Sequence, residues 1–188
     1  QIRQLLHNFP PDQVTTTGTK FWSGSKRCPK PLTFDVDDID SEAGMRNHLD
    51  FVVAAANLRA EMYGIEGRTT DEAYFRETLA DVIVPDFAPA EGVKIAANDD
   101  EAKENAMDTT DDTEIADIWQ NLPKPDGFSL TAIEFDKDID EHMLFVAACS
   151  NLRALNYSIP TEDTHRSRAI AGRIIPAIAT TTALVTGL

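Results

Sequence analysis

The sequence predicts a mainly α fold: a helical domain built on a duplicated strand-helix element, with a minor β component. Three observations predict it. First, His48 to Ile65 aligns without gaps on His142 to Ile159, 94 residues later, and ten of the eighteen positions are identical. An offset that long, seen only twice, is not a solenoid period, so it marks a supersecondary element duplicated inside one domain. Second, apolar residues recur at helical spacing in both copies. They are Phe51, Ala54, Ala55, Leu58 and Met62 in one, and Phe145, Ala148, Cys149, Leu152 and Leu155 in the other. Third, a short apolar stretch precedes each copy, Pro31 to Asp35 and Thr131 to Asp136. Both end in Phe-Asp, and the second alternates like a strand.

The elements follow in order. Ile2, Leu5, Leu6 and Phe9 share a helical face, and Pro10-Pro11 stops that helix. Thr15 to Lys20 reads as a loop. Phe21 to Pro31, with its aromatic pair, glycine and prolines, reads as irregular but packed. Asp38 or Ser41 is the expected cap of the first repeat helix, which ends near Tyr63 with Gly64 as C-cap. Thr69 to Glu72 opens a further helix whose apolar stripe is Tyr74, Phe75, Leu79 and Val82 or Ile83. Val93 to Ile95 suits a short strand. Ala97 to Glu114 holds eight acids against one lysine, so residues 97–113 are expected to be a mobile acidic loop. Ile115, Ile118, Trp119 and Leu122 mark a short helix over Thr113 to Leu122. Asp138 or Asp140 is the expected cap of the second repeat helix, and Thr161 or Thr164 of the helix through Ala171. Arg166, Arg168 and Arg173 lie toward its C-terminal half and complement its dipole. Pro176 suits the start of one more helix.

A chain of 188 residues with 42% apolar and 26% charged residues is globular in composition. With 17 basic against 32 acidic residues the net charge is −15, which excludes nucleic acid as an expected partner. Ile174 to Leu188 is apolar but too short to span a membrane, so no membrane partner is expected. The chain does not begin with Met, which is expected of a piece of something longer. Its two cysteines, Cys28 and Cys149, argue against a disulfide scaffold and fit a reducing compartment. Lys26 and Arg27 before Cys28 would lower its thiol pKa and suit a nucleophile, but the favoured reading is a small residue wedged before Pro29. Cys149 lies on an apolar helix face, where its counterpart is Ala55. His7, His48, His142 and His165 form no ligand spacing with either cysteine, so no metal site is expected. His48 and His142 occupy equivalent places, which points to structure. Asn57 and Asn151 sit amid apolar residues and need hydrogen-bonded partners if buried. No Gly-rich phosphate loop or nucleophile elbow is present.

Several of these stretches carry a resemblance. Gln1 to Asp12, Phe21 to Pro29, Pro31 to Asp35, Ala148 to Tyr157 with its Ser-Asn-Leu-Arg-Ala core, and Ile170 to Ala183 together resemble the ubiquitin-activating enzymes. The likeness covers essentially the whole chain and is weakest over Glu66 to Asp126. Ser25 departs from it, standing where many relatives carry proline. The resemblance implies the second catalytic-cysteine half-domain of such an enzyme. The complete enzyme adenylates the ubiquitin C-terminus with ATP and magnesium, captures ubiquitin as a cysteine thioester and hands it to a ubiquitin-conjugating enzyme. On this reading residues 1–173 are the half-domain without its upstream cysteine segment, and residues 174–188 begin the return into the adenylation domain. Neither Cys28 nor Cys149 falls on the thioester position, so no catalytic residue and no cofactor are expected in this chain, with ATP and magnesium implied for the whole enzyme. Asn151 and Arg153 lie in the Ser-Asn-Leu-Arg-Ala motif, which implies a part in positioning the cysteine region. The implied partners are ubiquitin, ubiquitin-conjugating enzymes and the adenylation domain, and the implied location is cytoplasm and nucleus. Set aside from the resemblance, the residues read as a non-enzymatic acidic helical module that docks a basic partner.

Overall fold

The duplicated stretch forms the two longest helices among the described residues. A computed structural model describes residues 1–91, 121 and 130–172. The helices within them are α1 (Ile2–Asn8), α2 (Asn47–Met62), α3 (Glu72–Ala80), α4 (Asp140–Asn156) and α5 (Thr164–Ala171). The fold is mainly α, as expected. The expected elements at 93–95, 97–114 and 174–188 lie outside the described residues, as does the helix at 113–122 apart from Asn121.

The chain divides into two units, Gln1–Pro31 with Ile83–Ser129, and Leu32–Val82 with Leu130–Leu188. In the first unit α1 ends ahead of Pro10-Pro11. The chain then returns through a single antiparallel bridge, Val14 to Lys20, around Gly18 at φ +80°. This return stacks Phe21 on Phe9, with ring centres 4.6 Å apart, and sets Trp22 edge-on to Phe21. The Trp22 indole N–H donates to the carbonyls of Phe9 (3.1 Å) and Pro10 (3.0 Å), tying the irregular segment to the helix end. Gln4 fixes residue 90 by donating to its carbonyl and accepting from its amide.

In the second unit α2 packs on α4, and α4 on α5. Alanines make the close approach possible: Ala54, Ala147 and Ala148 are completely buried. Phe51 and Phe145, equivalent in the two copies, are half-buried and stack on one another with ring centres 5.8 Å apart. Ala43 and Met45 join Ala147 and Ala148 in one core cluster, and Phe75 of α3 seats on Leu49 and Val53 of α2 in the other. Burying a side chain such as Leu49 or Met143, both almost inaccessible, contributes about 1.5–3 kcal/mol. The expected stripe of α3 is shorter than the sequence suggests. The helix stops at Ala80, and Val82 and Ile83 are exposed.

The caps differ from expectation. Neither Asp38 nor Ser41 caps α2. Its N-cap is Arg46, whose amide donates to the Asp50 carboxylate at 2.9 Å. Helix α4 starts after Ile139 without a side-chain cap, so Asp138 and Asp140 do not serve as one; Asp140 and Glu141 instead face the dipole of the first turn. Helix α5 is capped by Asp163 rather than Thr161 or Thr164. Helix α3 opens within the expected Thr69–Glu72 stretch, and its cap is Asp71. The expected strands, 31–35 and 131–136, join no ladder: the Asp35 and Asp136 amides donate to imidazole nitrogens, and the Thr131 amide donates to the Met62 carbonyl. The β component among the described residues is two isolated bridges, Val14–Lys20 and Asp40–Met45.

Both long helices end the same way. The Ile65 amide donates to Ala60 and the Gly64 amide to Glu61; the Ile159 amide donates to Ala154 and the Ser158 amide to Leu155. This double closure requires a left-handed residue at the turn, Gly64 at φ +63° in one copy and Ser158 at φ +53° in the other. A side chain there costs about 1 kcal/mol relative to glycine. The Ser158→Gly variant is therefore expected to be more stable by roughly that amount, and Gly64→Ser less stable by a similar amount. Urea denaturation of the two variants checks the pair.

Candidate functional site

Each copy of the repeat builds the same polar latch at the start of its long helix. Nδ1 of His48 accepts the Asp35 amide at 2.8 Å, and Nδ1 of His142 accepts the Asp136 amide at 3.0 Å. Both rings are 5% exposed. Phe34 stacks on His48 at 5.7 Å between ring centres, and Phe135 on His142 at 6.2 Å. The aspartates turn the chain away from the ring. Asp35 Oδ1 accepts the Asp37 amide and Asp136 Oδ1 accepts the Asp138 amide. The duplicated Phe-Asp is thus one half of a latch and the duplicated histidine the other.

The copies differ in how far apart those halves lie. Asp35 precedes its histidine by 13 residues, Asp136 by 6. The extra residues of the first copy form a turn closed by the Asp40–Met45 bridge. Asp40 Oδ1 accepts the amides of Glu42 and Ala43 (3.1 Å each), and Oδ2 accepts the Asn47 side chain at 2.8 Å. Burial raises the Asp40 pKa, but hydrogen bonds from Ala43, Thr161, Asn47 and Glu42 outweigh it and hold the carboxyl below its ordinary value.

Asn47 passes this network to the second copy. Its Oδ1 accepts the Asn151 amide at 3.1 Å, inside the protein. Asn151, 2% exposed, also donates to the Glu162 carbonyl (2.8 Å) and accepts the Glu162 amide (3.0 Å). Its counterpart Asn57 donates to the Thr69 carbonyl at 3.0 Å. Each asparagine therefore fixes the loop leading to the next short helix. Arg153, two residues from Asn151, is exposed and lies over Tyr157 at 4.6 Å; Arg59 repeats this over Tyr63 at 5.5 Å. The structure therefore separates the two motif residues: Asn151 points inward, Arg153 outward.

Two signals escape the sequence reading. Asp40 and Asn47 carry the central bonds, yet neither belongs to the repeat. The repeat also runs further than its visible identity. Asp71 and Asp163 cap equivalent short helices, Phe75 and Ser167 are buried at equivalent places, and Arg76 and Arg168 each reach back to a carboxylate of their own copy, Asp37 and Asp140. Their common offset, 92 rather than 94, is the signal that could have revealed them.

The cysteines lie apart from this network. Cys28 is half-buried, with its thiol 3.8 Å from the Pro29 carbonyl. Burial pushes the Cys149 thiol above its ordinary pKa, which disfavours the thiolate. Among the described residues no three metal-ligating side chains converge, and no helix is long and apolar enough to cross a membrane.

Fold and latch define a helical, internally duplicated domain whose polar network holds loops in place. Residues 1–168 match the family described as "Ubiquitin-activating enzyme, SCCH domain". The chain belongs to that family. It is 53% identical over 192 residues to a ubiquitin-like modifier-activating enzyme 1 of Homo sapiens, covering 100% of this chain and 17% of that protein. Against a ubiquitin-activating enzyme E1 1 of Candida albicans the identity is 50% over 195 residues, covering 100% of the chain and 18% of the relative. A ubiquitin-like modifier-activating enzyme 1 of Dictyostelium discoideum is 47% identical over 196 residues, with 99% and 18% covered. The chain thus spans about a sixth of the length of the relatives it matches.

Removing Asn151 orphans the Glu162 amide, the Glu162 carbonyl and Asn47 together, whereas removing Asn57 orphans one carbonyl. At about 1–3 kcal/mol per buried group left unpaired, Asn151→Ala is expected to destabilise the domain well beyond Asn57→Ala. Equilibrium urea denaturation measures the difference, and equal losses would contradict this reading of the network.

Proposed function

We propose that this chain is the structural body of the thiol half-domain of a ubiquitin-activating enzyme. The complete enzyme would adenylate ubiquitin with ATP, carry it as a cysteine thioester and pass it to ubiquitin-conjugating enzymes. The observation that supports this best is the family match over residues 1–168. The accepting cysteine would lie outside these residues. The described residues do not fit an ATP–magnesium site, since they offer neither a Gly-rich phosphate loop nor a converging set of ligands. Nucleotide and metal would belong to the adenylation domain of the same polypeptide, in the cytoplasm and nucleus. Residues 1–173 would form the half-domain, and residues 174–188 would lead back to that adenylation domain.

Asn151 and Arg153 would position rather than react. Asn151 holds the loop ahead of α5 from inside, and Arg153 presents a cation at the surface of α4, which supports a positioning part for the cysteine region. The reading as a stand-alone acidic module has no comparable support.

Incubation with ubiquitin, ATP and magnesium followed by a non-reducing gel tests the proposal. The 188-residue chain is expected to form no reductant-sensitive adduct, and the complete enzyme bearing Cys28→Ala and Cys149→Ala together is expected to keep its thioester. An adduct on either cysteine of the isolated chain overturns the assignment.

A further inference from the structure

An open groove runs between the C-terminal half of α2 and the N-terminal half of α4. It has a volume of about 510 Å³, and Leu58, Met62, Phe135 and Phe145 line it together with Arg59 and His142. Its apolar wall is accessible: Phe135 is 56% exposed and Met62 38%.

Two polar groups on this wall lack an anion. His142 uses Nδ1 to accept the Asp136 amide, so the neutral ring carries its proton on Nε2. That N–H has no acceptor among the described residues. In the first copy Asp38 places a carboxylate oxygen 3.9 Å from Nε2 of His48, near it but beyond hydrogen-bond distance. Arg59 is the second group. In this unit Arg46, Arg68, Arg76, Lys137, Arg166 and Arg168 each reach a carboxylate. Among the described residues of the unit, Arg59 and its repeat partner Arg153 do not. This is notable in a chain with 32 acidic residues to 17 basic ones. Tyr63 holds the Arg59 guanidinium at 5.5 Å, which limits its freedom and prepares it for an anion.

We propose that the groove docks an acidic–apolar segment of a partner polypeptide. An apolar side chain of the partner enters between Met62 and Phe135, and one carboxylate meets Arg59 and the Nε2–H of His142. A charge-assisted pair beside a desolvated apolar contact is the arrangement that makes a small site selective. The net charge of −15 repels a run of acids. The fitting partner therefore carries a single Asp or Glu flanked by apolar residues.

A blocked heptapeptide with a central Phe-Glu pair flanked by Leu and Ala serves as the probe, and its Phe-Gln counterpart as the neutral control. Each is titrated into the isotope-labelled 188-residue chain while the Met62 methyl and the His142 ring are followed by NMR. The expected result is saturable shifts at both, an unmoved His48 ring, and binding at least about tenfold weaker for the Gln peptide. Arg59→Gln should reduce the Glu peptide to the level of the Gln peptide, and Arg59→Lys should restore part of the difference. Arg59 is exposed, so unchanged amide shifts away from the groove verify that the variants fold. Equal binding of the two peptides, shifts centred elsewhere, or no saturable shift overturns the proposal. So does a concentration-dependent dimer that perturbs Met62 without peptide, because a second copy would then be the occupant.

Discussion

A backbone amide donated to a buried imidazole nitrogen is the interaction on which the second unit depends. An extended segment has no ladder partner here, so its amides must be satisfied some other way. His48 and His142 satisfy one each, and the preceding phenylalanine covers the ring. The contact also places the start of a long helix against the segment that leads to it. From that point the alanine faces of α2 and α4 meet, and the rest of the helix–helix packing follows. An imidazole that accepts at Nδ1 is committed to one tautomer, so the latch also decides which nitrogen is left over. In the first copy an Asp38 carboxylate oxygen lies 3.9 Å from it; in the second the histidine is among the residues lining a groove.

Duplication made the helices legible and hid the connections. Ten shared positions and helical spacing were enough to place α2 and α4, because Phe, Val, Ala, Asn and Leu recur wherever both copies need the same face. The apolar segments ahead of them read as strands, since Phe-Asp after alternating residues fits a ladder as well as it fits a histidine. Which acceptor takes the amide is a tertiary fact with no local signal. The capping residues failed for a related reason. Asp38 and Ser41 have the right chemistry, but the first copy spends its extra residues on the Asp40–Met45 turn, and that turn moves the helix start to Asn47.

The candidate site was legible in part. Asn151 and Arg153 stand two positions apart in one motif, and a helix turns about 200° over that distance, so one had to face inward and the other outward. The need of Asn151 for a partner was readable from its apolar surroundings. That the partner would be the Glu162 backbone and Asn47, more than a hundred residues away from it in the case of Asn47, was not. The cysteines illustrate the opposite case. Local sequence offered Cys28 two basic neighbours, and in the fold it is half-buried with its thiol 3.8 Å from the Pro29 carbonyl.

The central claim is that two equivalent histidines hold two extended segments through Nδ1. Long-range ¹H–¹⁵N correlation of the imidazole rings near neutral pH tests it directly. The account predicts that both His48 and His142 are neutral Nε2–H tautomers, each with a hydrogen-bond coupling from Nδ1 to the amide of Asp35 or Asp136. Finding the Nδ1–H tautomer at either ring, or fast exchange of those two amides, would contradict it.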